Sequence, residues 1–250
     1  MGIASYAVMP GKSRKVLLTG SSERLKKACV LSVRPMRRFM AARLMNRKWI
    51  EKVKIMLKKG LSPNKFMAWL GLMFLKILGW RVEGEIPPIK KFVMIAAPHT
   101  SNWDFPITLA VAFVLKIKIY WMGKAAMFRW PFGASLRWLG GIPIDRGQSH
   151  NVVEQSIQAF KNWEKLILVV PPEGTRRKVH YWKTGFYHIA RGAGVPIVLG
   201  FLDYRRKAGG IGPTFYPTGH MEEDMPQIQA FYATITGKRQ SQFGNAVLRF

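Results

Sequence analysis

The chain has 250 residues, which is enough for one α/β domain with a full hydrophobic core. Apolar residues make up 48% of it, and this excludes a disordered or fibrous chain. The formal net charge is +27, yet the mean hydropathy is close to zero. A cationic surface beside surplus apolar surface fits an anionic bilayer, with nucleic acid as the rival polyanion. The single cysteine, Cys29, excludes an intramolecular disulfide and a multi-cysteine zinc site.

Residues 1–41 are predicted to form a poorly ordered basic leader. They show no sustained hydrophobic period and mix glycine, serine and basic residues. A leader rich in arginine and poor in acids is compatible with an organellar transit peptide. A start codon placed too far upstream would give the same pattern, so the sequence leaves both interpretations open.

Residues 42–80 are predicted to form a helical hairpin that lies in the membrane interface. From 42 to 59, apolar and basic residues recur at helical spacing, which predicts a cationic amphipathic helix. Ser62 and Pro63 are predicted to begin a second helix, over 66–80, that is apolar almost all round. At about 1.5 Å per residue this helix is too short to cross a hydrocarbon core of about 30 Å. A buried core helix is the alternative interpretation.

Residues 81–250 are predicted to form one α/β catalytic domain. The fold class is therefore α/β, with a mainly parallel central sheet covered by helices and preceded by the interfacial hairpin. In such sheets the chemistry gathers beyond the carboxyl ends of the strands. Strands are predicted at 92–97, 117–121, 166–170 and 196–202, and helices at 105–114, 152–163 and 185–191.

His99 and Asp104 stand at a predicted strand-to-helix turn. On a continuous helix, positions five apart differ by about 140°, so these two side chains would not face each other. They can meet if His99 lies in the turn and Asp104 in the first helical turn, and Ser101 as N-cap gives a capping-box pattern with that geometry. A carboxylate bonded to one imidazole nitrogen leaves the other nitrogen to take a proton. A simple helix cap is the alternative.

Two further segments end in arginine. The glycine pair at 140–141 lets the backbone approach a ligand closely, and Arg146 stands at the end of the short strand predicted after it. The run Pro-Pro-Glu-Gly-Thr-Arg at 171–176 directly follows a predicted buried strand and ends in Arg176. A guanidinium is a planar donor fork suited to a phosphate. Each segment alone is also compatible with a solvated turn.

Taken together in this order, these segments resemble the glycerolipid acyltransferase family, typified by 1-acylglycerol-3-phosphate acyltransferases. The resemblance spans about residues 80 to 205. Pro98 replaces the asparagine common before the family's histidine, and Pro143 replaces an aromatic residue, which leaves the reaction type intact and the acceptor open. The family's four blocks match His99 to Asp104, Gly140 to Arg146, Pro172 to Arg176, and Val195 to Ile197.

The resemblance implies a reaction in phospholipid biosynthesis. A fatty-acyl group would pass from acyl-CoA or acyl carrier protein to a lysophospholipid-like acceptor, with lysophosphatidic acid as the default, and no cofactor or metal is expected. The protein would be monotopic on an anionic membrane surface, at the cytoplasmic face of the inner membrane. The implied catalytic residues are His99 and its partner Asp104, and the implied substrate-binding residues are Arg146, Glu173, Gly174, Thr175 and Arg176.

Three other functions compete with this one. Charge favours a nucleic-acid-binding protein, but the chain lacks zinc-finger spacing, an aromatic RNA-binding signature and a KH loop, so no nucleic acid is expected. An acyl-thioester hydrolase could use the same His–Asp pair, although it would not need arginines for an acceptor phosphate. A transferase with a non-glycerophosphate acceptor is the third. The acyl length and the donor type remain open.

Overall fold

A computed structural model describes residues 63–144 and 149–242. The predicted leader and the first helix of the predicted hairpin lie outside these residues, and so does Arg146.

The core is a seven-stranded sheet in the order β1-β7-β6-β2-β5-β3-β4. The five strands from β6 to β4 run parallel to one another, whereas β7 pairs antiparallel with β6 and β1 follows β7. This confirms the predicted mainly parallel sheet. The strands are β1 (Arg81–Glu83), β2 (Lys91–Ala97), β3 (Ile119–Lys124), β4 (Gly141–Ile144), β5 (Leu166–Val170), β6 (Ile197–Asp203) and β7 (Ala208–Phe215).

Helices cover both faces of the sheet, because alternate strand residues point to opposite sides. Val93 and Ile95 of β2 pack with α4, α5 and α6, whereas Phe92 and Met94 pack with α2, which in turn contacts α1. The helices are α1 (Lys65–Ile77), α2 (Asp104–Val114), α3 (Gly133–Trp138), α4 (Ser149–Asn162), α5 (Gly185–Ala193) and α6 (Met221–Ala233), with short 3-10 turns at Ala125–Phe128 and Gln240–Gln242.

The predicted elements agree with the structure to within a few residues. The strand at 166–170 has the predicted bounds, and the other predicted strands and helices shift by one to three residues at their ends. The N-cap of α1 was predicted at Ser62, but Asn64 fills that position, and its side chain accepts a hydrogen bond from the Met67 N–H at 2.9 Å. Strands β1 and β7 and helices α3 and α6 were not predicted.

Helix α1 is not a buried core helix. It fully buries only Gly71 and Leu75, which pack towards α2. Among the helices that the structure describes, none is long and apolar enough to cross a membrane. The outward face of α1 exposes six large apolar side chains, each at least 39% accessible: Phe66, Trp69, Leu70, Leu72, Met73 and Ile77.

Candidate active site

The structure brings His99 and Asp104 together at the carboxyl edge of the sheet. His99 lies in the turn after β2, and Asp104 is the first residue of α2. His99 Nδ1 is 3.2 Å from Asp104 Oδ2, and the two side chains are 26% and 5% exposed. A nearly buried carboxylate at this distance holds the imidazole with its proton on Nδ1, so that Nε2 is the nitrogen able to take a proton.

The Asp104 carboxylate is held from both sides. Oδ2 accepts a hydrogen bond from the Ser101 backbone N–H at 2.8 Å, which is one half of the predicted capping box. The other half of a capping box would be a hydrogen bond from the Asp104 N–H to the Ser101 hydroxyl. Here the Ser101 hydroxyl instead accepts from the Trp103 N–H at 3.2 Å. Oδ1 accepts from the Tyr204 hydroxyl at 2.6 Å. These bonds fix the carboxylate in the orientation that meets His99.

Tyr204 is a site residue that sequence reasoning missed. It follows β6, one hundred residues away from Asp104 along the chain, and its ring lies edge-on to Trp80 at 4.9 Å. Burial, and then the hydrogen bond to the Asp104 carboxylate, raise the pKa of Tyr204 above its ordinary value, so the hydroxyl stays a donor. No local pattern marks this tyrosine, because sheet topology alone joins the ends of β2 and β6.

The structure places the Glu173 side chain against the turn that carries His99. This side chain was expected around the acceptor, yet the residue is only 3% exposed, and Oε2 accepts a hydrogen bond from the His99 backbone N–H at 2.8 Å. Oε1 is buried without a hydrogen-bond partner among the described residues. Burial raises the pKa of Glu173 to about 7, although the bond from His99 opposes the rise. In this geometry Glu173 supports the turn that carries His99.

The rest of the third block forms a rim beside His99. Gly174, Thr175 and Arg176 line the cavity that opens at His99, and the neighbouring Arg177 joins them. Gly174 has a positive φ of 64°, a conformation that favours glycine. Both arginines are exposed. The rim is therefore cationic and faces solvent.

A second basic segment, beyond the blocks of the resemblance, reaches the same rim. The Arg239 backbone N–H donates to the Thr100 hydroxyl at 3.2 Å, and the Tyr204 N–H donates to the Thr236 carbonyl at 2.9 Å. Gly237 passes so close to Pro98 that an added Cβ would lie 3.0 Å from it. Arg239 lines the cavity as well. The sequence offered no signal for this contact, because the segment carries no motif.

The cavity has a volume of about 730 Å³ and runs from His99 between α2 and the sheet. Its outer end is polar, with the arginines of the rim. Its inner part is apolar and reaches the far end of α2, which is about 16 Å long at 1.5 Å per residue. The inner walls come from α2, the segment after it, and five strands, among them Leu109, Ala112, Leu115, Ile119, Val169 and Ile211. Such a volume suits one elongated apolar group.

Gly140 and Gly141 of the second block do not line this cavity. A Cβ on Gly140, whose φ is 87°, would lie 2.2 Å from the Ile119 carbonyl oxygen. A Cβ on Gly141 would lie 2.6 Å from the Phe128 ring. Among the described residues, the close neighbours of both glycines are therefore parts of the protein itself, and a side chain at either position would collide with them.

Across residues 63–144 and 149–242, no three His, Cys, Asp or Glu side chains are arranged to hold a metal ion.

Comparison with known proteins gives a match to one family model. Residues 80–198 match the family model named Acyltransferase. Residues 80–198 are therefore similar to the acyltransferase family. The match ends before Tyr204 and Arg239, so the structure adds both residues to the site.

Similar proteins carry names from glycerolipid synthesis. The chain is 31% identical over 140 residues to a 1-acyl-sn-glycerol-3-phosphate acyltransferase of Haemophilus influenzae, covering 52% of this chain and 56% of that protein. It is 30% identical over 152 residues to the protein of the same name from Escherichia coli, covering 55% and 60%. The match therefore spans less than two thirds of the length of these relatives.

A solved structure is also similar. It is the crystal structure of the 1-acyl-sn-glycerophosphate (LPA) acyltransferase PlsC from Thermotoga maritima, at a TM-score of 0.46 and 21% identity. The alignment covers 66% of this chain and 74% of that one.

Proposed function

We propose that this protein transfers a fatty-acyl group from an acyl thioester to a hydroxyl of a lysophospholipid, with lysophosphatidic acid as the acceptor. The observation that carries the proposal is a cavity whose polar end holds His99 and whose apolar interior lies between α2 and the sheet. An acyl thioester has the same division, with a polar reacting group at the end of an apolar chain. The names of the relatives from Haemophilus influenzae and Escherichia coli support the same acceptor.

His99 acts as the general base in this reaction. The acceptor hydroxyl lies within hydrogen-bond reach of Nε2, which removes its proton as the oxygen attacks the thioester carbonyl. Asp104, 3.2 Å from Nδ1, stabilises the imidazolium that forms, and Tyr204 holds Asp104 in place. The C–S bond breaks, and the protonated His99 returns a proton to the leaving thiol of coenzyme A or acyl carrier protein.

The cationic rim binds the phosphate of the acceptor. Arg176 and Arg177 come from the loop after β5, and Arg239 comes from the segment after α6, so the rim approaches His99 from two directions. Guanidinium groups form paired hydrogen bonds to phosphate oxygens, which orients as well as attracts the ligand. Arg146 of the second block is the further arginine that the resemblance implies for this role.

The protein works on a membrane surface. The exposed apolar face of α1 lies on the same side of the sheet as the cavity, because α1 packs on α2 and α2 forms a cavity wall. Both substrates carry a long apolar chain, and the lysophospholipid acceptor is itself a membrane lipid. The net charge of +27 favours an anionic leaflet, and nucleic acid is not proposed as a partner.

An assay of the purified full-length chain tests the transferase. Lysophosphatidic acid is supplied with acyl-CoA or acyl carrier protein as donor, and mass spectrometry detects the diacyl product. We expect product only when acceptor and donor are both present, and far less product from the His99→Ala variant. Rapid release of the donor's thiol in the absence of acceptor would instead identify a thioesterase.

The arginine rim is tested by comparing two acceptors. Arg176→Lys keeps the charge but loses the two-point contact, so it should raise the KM for lysophosphatidic acid about ten- to a hundred-fold. A monoacylglycerol acceptor, which has no phosphate, should respond little to the substitution. Equal effects on both acceptors would contradict a phosphate role for Arg176 and favour a non-glycerophosphate acceptor.

A further inference from the structure

A second segment, besides α1, holds large aromatic side chains in solvent. This aromatic loop comprises residues 125–138 and connects β3 to β4. Trp130 is 94% exposed, Phe132 69%, Met127 50% and Trp138 46%. Of the thirteen exposed large apolar residues in the described part of the chain, ten lie on the aromatic loop or on α1. Exposed apolar side chains concentrated in this way mark an interaction surface.

Contacts with the core hold the aromatic loop in place, so its exposed tip has a defined position. Phe128 is only 4% exposed, and its ring packs on Trp121 with the ring centres 5.7 Å apart. The Arg137 guanidinium lies 5.6 Å from the centre of the same ring. The Gly133 N–H donates to the Arg129 carbonyl at 2.9 Å and closes the turn that carries Trp130. The fold therefore holds the tip in position outside the core.

The charge around the aromatic loop specifies the kind of partner. From residue 105 to residue 144 the sequence has no Asp or Glu, and it has five Lys or Arg residues. Lys124 and Arg129, which flank the tip, are both exposed. Among the described residues, the exposed acids Glu154, Glu222 and Glu223 lie on α4 and α6, which cover the opposite face of the sheet, and the exposed acids Glu85 and Glu164 also lie outside residues 105–144. An anionic surface with an apolar interior complements such a region.

The aromatic loop also borders the cavity. Met127 and Leu136 line it, and Trp121, on which Phe128 packs, lines it as well. The Trp121 ring in turn lies edge-on to Phe105 of α2, with ring centres 4.7 Å apart, so the loop is on the α1 and α2 side of the sheet. A surface that met the tip of the loop would therefore lie beside the space that we assign to the acyl chain.

We propose that the aromatic loop is a second membrane-binding element, with Trp130 and Phe132 inserting among the acyl chains of an anionic leaflet while Lys124 and Arg129 contact lipid phosphates. The inference rests on the proposed function, in which the exposed face of α1 contacts the membrane. It adds the aromatic loop, beside the cavity, to that membrane-binding surface. Aromatic side chains suit the boundary between the headgroups and the acyl chains, because their large apolar rings can be buried while they remain next to the polar headgroup region.

A fluorescent probe at the tip tests this contact directly. Cys29 is the only cysteine, so a Cys29→Ser background accepts a single label at Phe132→Cys. The matched control carries the label at Gln227→Cys, an exposed position on α6 of the opposite face. Full-length protein is mixed with vesicles of phosphatidylcholine alone, or of phosphatidylcholine with phosphatidylglycerol, that carry nitroxide groups on their acyl chains.

We expect the probe at position 132 to shift to the blue and lose intensity on the anionic vesicles, while the probe at position 227 changes little. Equal behaviour at the two positions would overturn the proposal. A blue-shifted probe at 132 before vesicles are added, with no quenching by nitroxide lipid, would mean that another part of the chain or a second copy covers the loop, and it would overturn the proposal too.

Activity separates this proposal from the function itself. The double variant Trp130→Ser/Phe132→Ser should lower kcat/KM for vesicle-borne lysophosphatidic acid about tenfold or more, and leave turnover of a short-chain, freely dissolved acceptor unchanged. Tyr216→Ser is the control, because it removes a 65% exposed aromatic at the opposite edge of the sheet. Equal loss on both acceptors would contradict a membrane role for the loop. Failure of the wild type on both acceptors would instead reject the proposed function.

Discussion

On one face of the sheet, α4, α5 and α6 bury four large aromatic side chains almost completely, whereas on the other face a cavity lies between α2 and the sheet. Phe160, Phe186, Tyr187 and Tyr232 of the first face are at most 1% exposed. The second face carries a cavity of about 730 Å³ and most of the exposed aromatic side chains. Close packing stabilises a fold, while a cavity forgoes contacts that would do so. The comparison indicates that close packing on the first face stabilises the domain, and the proposed function assigns the chemistry to the second face.

The surroundings of a buried carboxylate also differ between the two faces. On the packed face, the Asp224 carboxylate accepts hydrogen bonds from the Tyr187 hydroxyl at 2.6 Å and from the N–H and hydroxyl of Thr218 at 2.8 and 2.9 Å. At the cavity, the Asp104 carboxylate faces an ionisable group, His99, that is itself 26% exposed. The first arrangement satisfies a buried carboxylate, and the second leaves the imidazole beside the carboxylate open to the cavity.

Removing the His99 side chain should have the strongest effect on activity. His99→Ala should lower acyl transfer by about 10² to 10⁴, because a positioned general base contributes that much to a rate. The free energy of unfolding, measured with urea, should change little, since His99 is in a turn and partly exposed. A well-folded variant with near-normal turnover would show that this face does not act through His99.

The pH dependence of unfolding tests the raised pKa of Glu173. Its folded pKa of about 7 lies above the ordinary value of 4.5, so the native state keeps a proton that the unfolded chain releases. The stabilisation is complete below about pH 4.5 and is lost as the pH rises through 7, by about 3 kcal/mol in all. Urea unfolding of Glu173→Gln at pH 5 and pH 8 should lack this loss, because glutamine does not ionise and still accepts from the His99 N–H.

The control for that measurement is Glu164→Gln. Glu164 is 80% exposed and pairs with Lys90 at 3.4 Å, so its removal should leave the pH dependence of unfolding as it is in the wild type. If Glu173→Gln and Glu164→Gln behave alike, the raised pKa assigned to Glu173 is wrong.

A pair of tyrosine variants compares the two faces directly. Tyr187→Phe removes one donor from Asp224 and should lower the free energy of unfolding by about 1–3 kcal/mol, with kcat unchanged. Tyr204→Phe removes the donor that holds Asp104, and it should lower kcat about tenfold. Urea unfolding and initial rates on both proteins measure the contrast. Loss of kcat in Tyr187→Phe, or none in Tyr204→Phe, would contradict the division of roles.

The smallest expected effect comes from filling the cavity. Thr108 of α2 lines it, so Thr108→Leu should reduce kcat/KM for long-chain donors about tenfold relative to short-chain donors. Thr108→Val has nearly the shape of threonine and serves as the control. A uniform change across chain lengths would indicate that the acyl group does not occupy this part of the cavity.

Much of the architecture could be predicted because its signals are local. The strand at 166–170 is a continuous apolar run, and it appears with the predicted bounds. β7 escaped prediction because its sequence, Ala-Gly-Gly-Ile-Gly-Pro-Thr-Phe, carries glycines and a proline that ordinarily argue against a strand. The glycines are tolerated because neighbouring backbones come very close, with an added Cβ on Gly210 only 1.8 Å from the Glu83 carbonyl oxygen.

By itself, the sequence determined the sheet type, the turn that carries His99 and the spacing that lets Asp104 meet it, because each depends on residues within a few positions of one another. Tertiary structure decided the rest of the site. Tyr204 reaches Asp104 and Glu173 reaches the His99 turn only because parallel strands bring their carboxyl ends to one edge, at sequence separations of 100 and 74. The cavity was likewise invisible in the sequence, since an empty volume depends on how helix and sheet residues pack together.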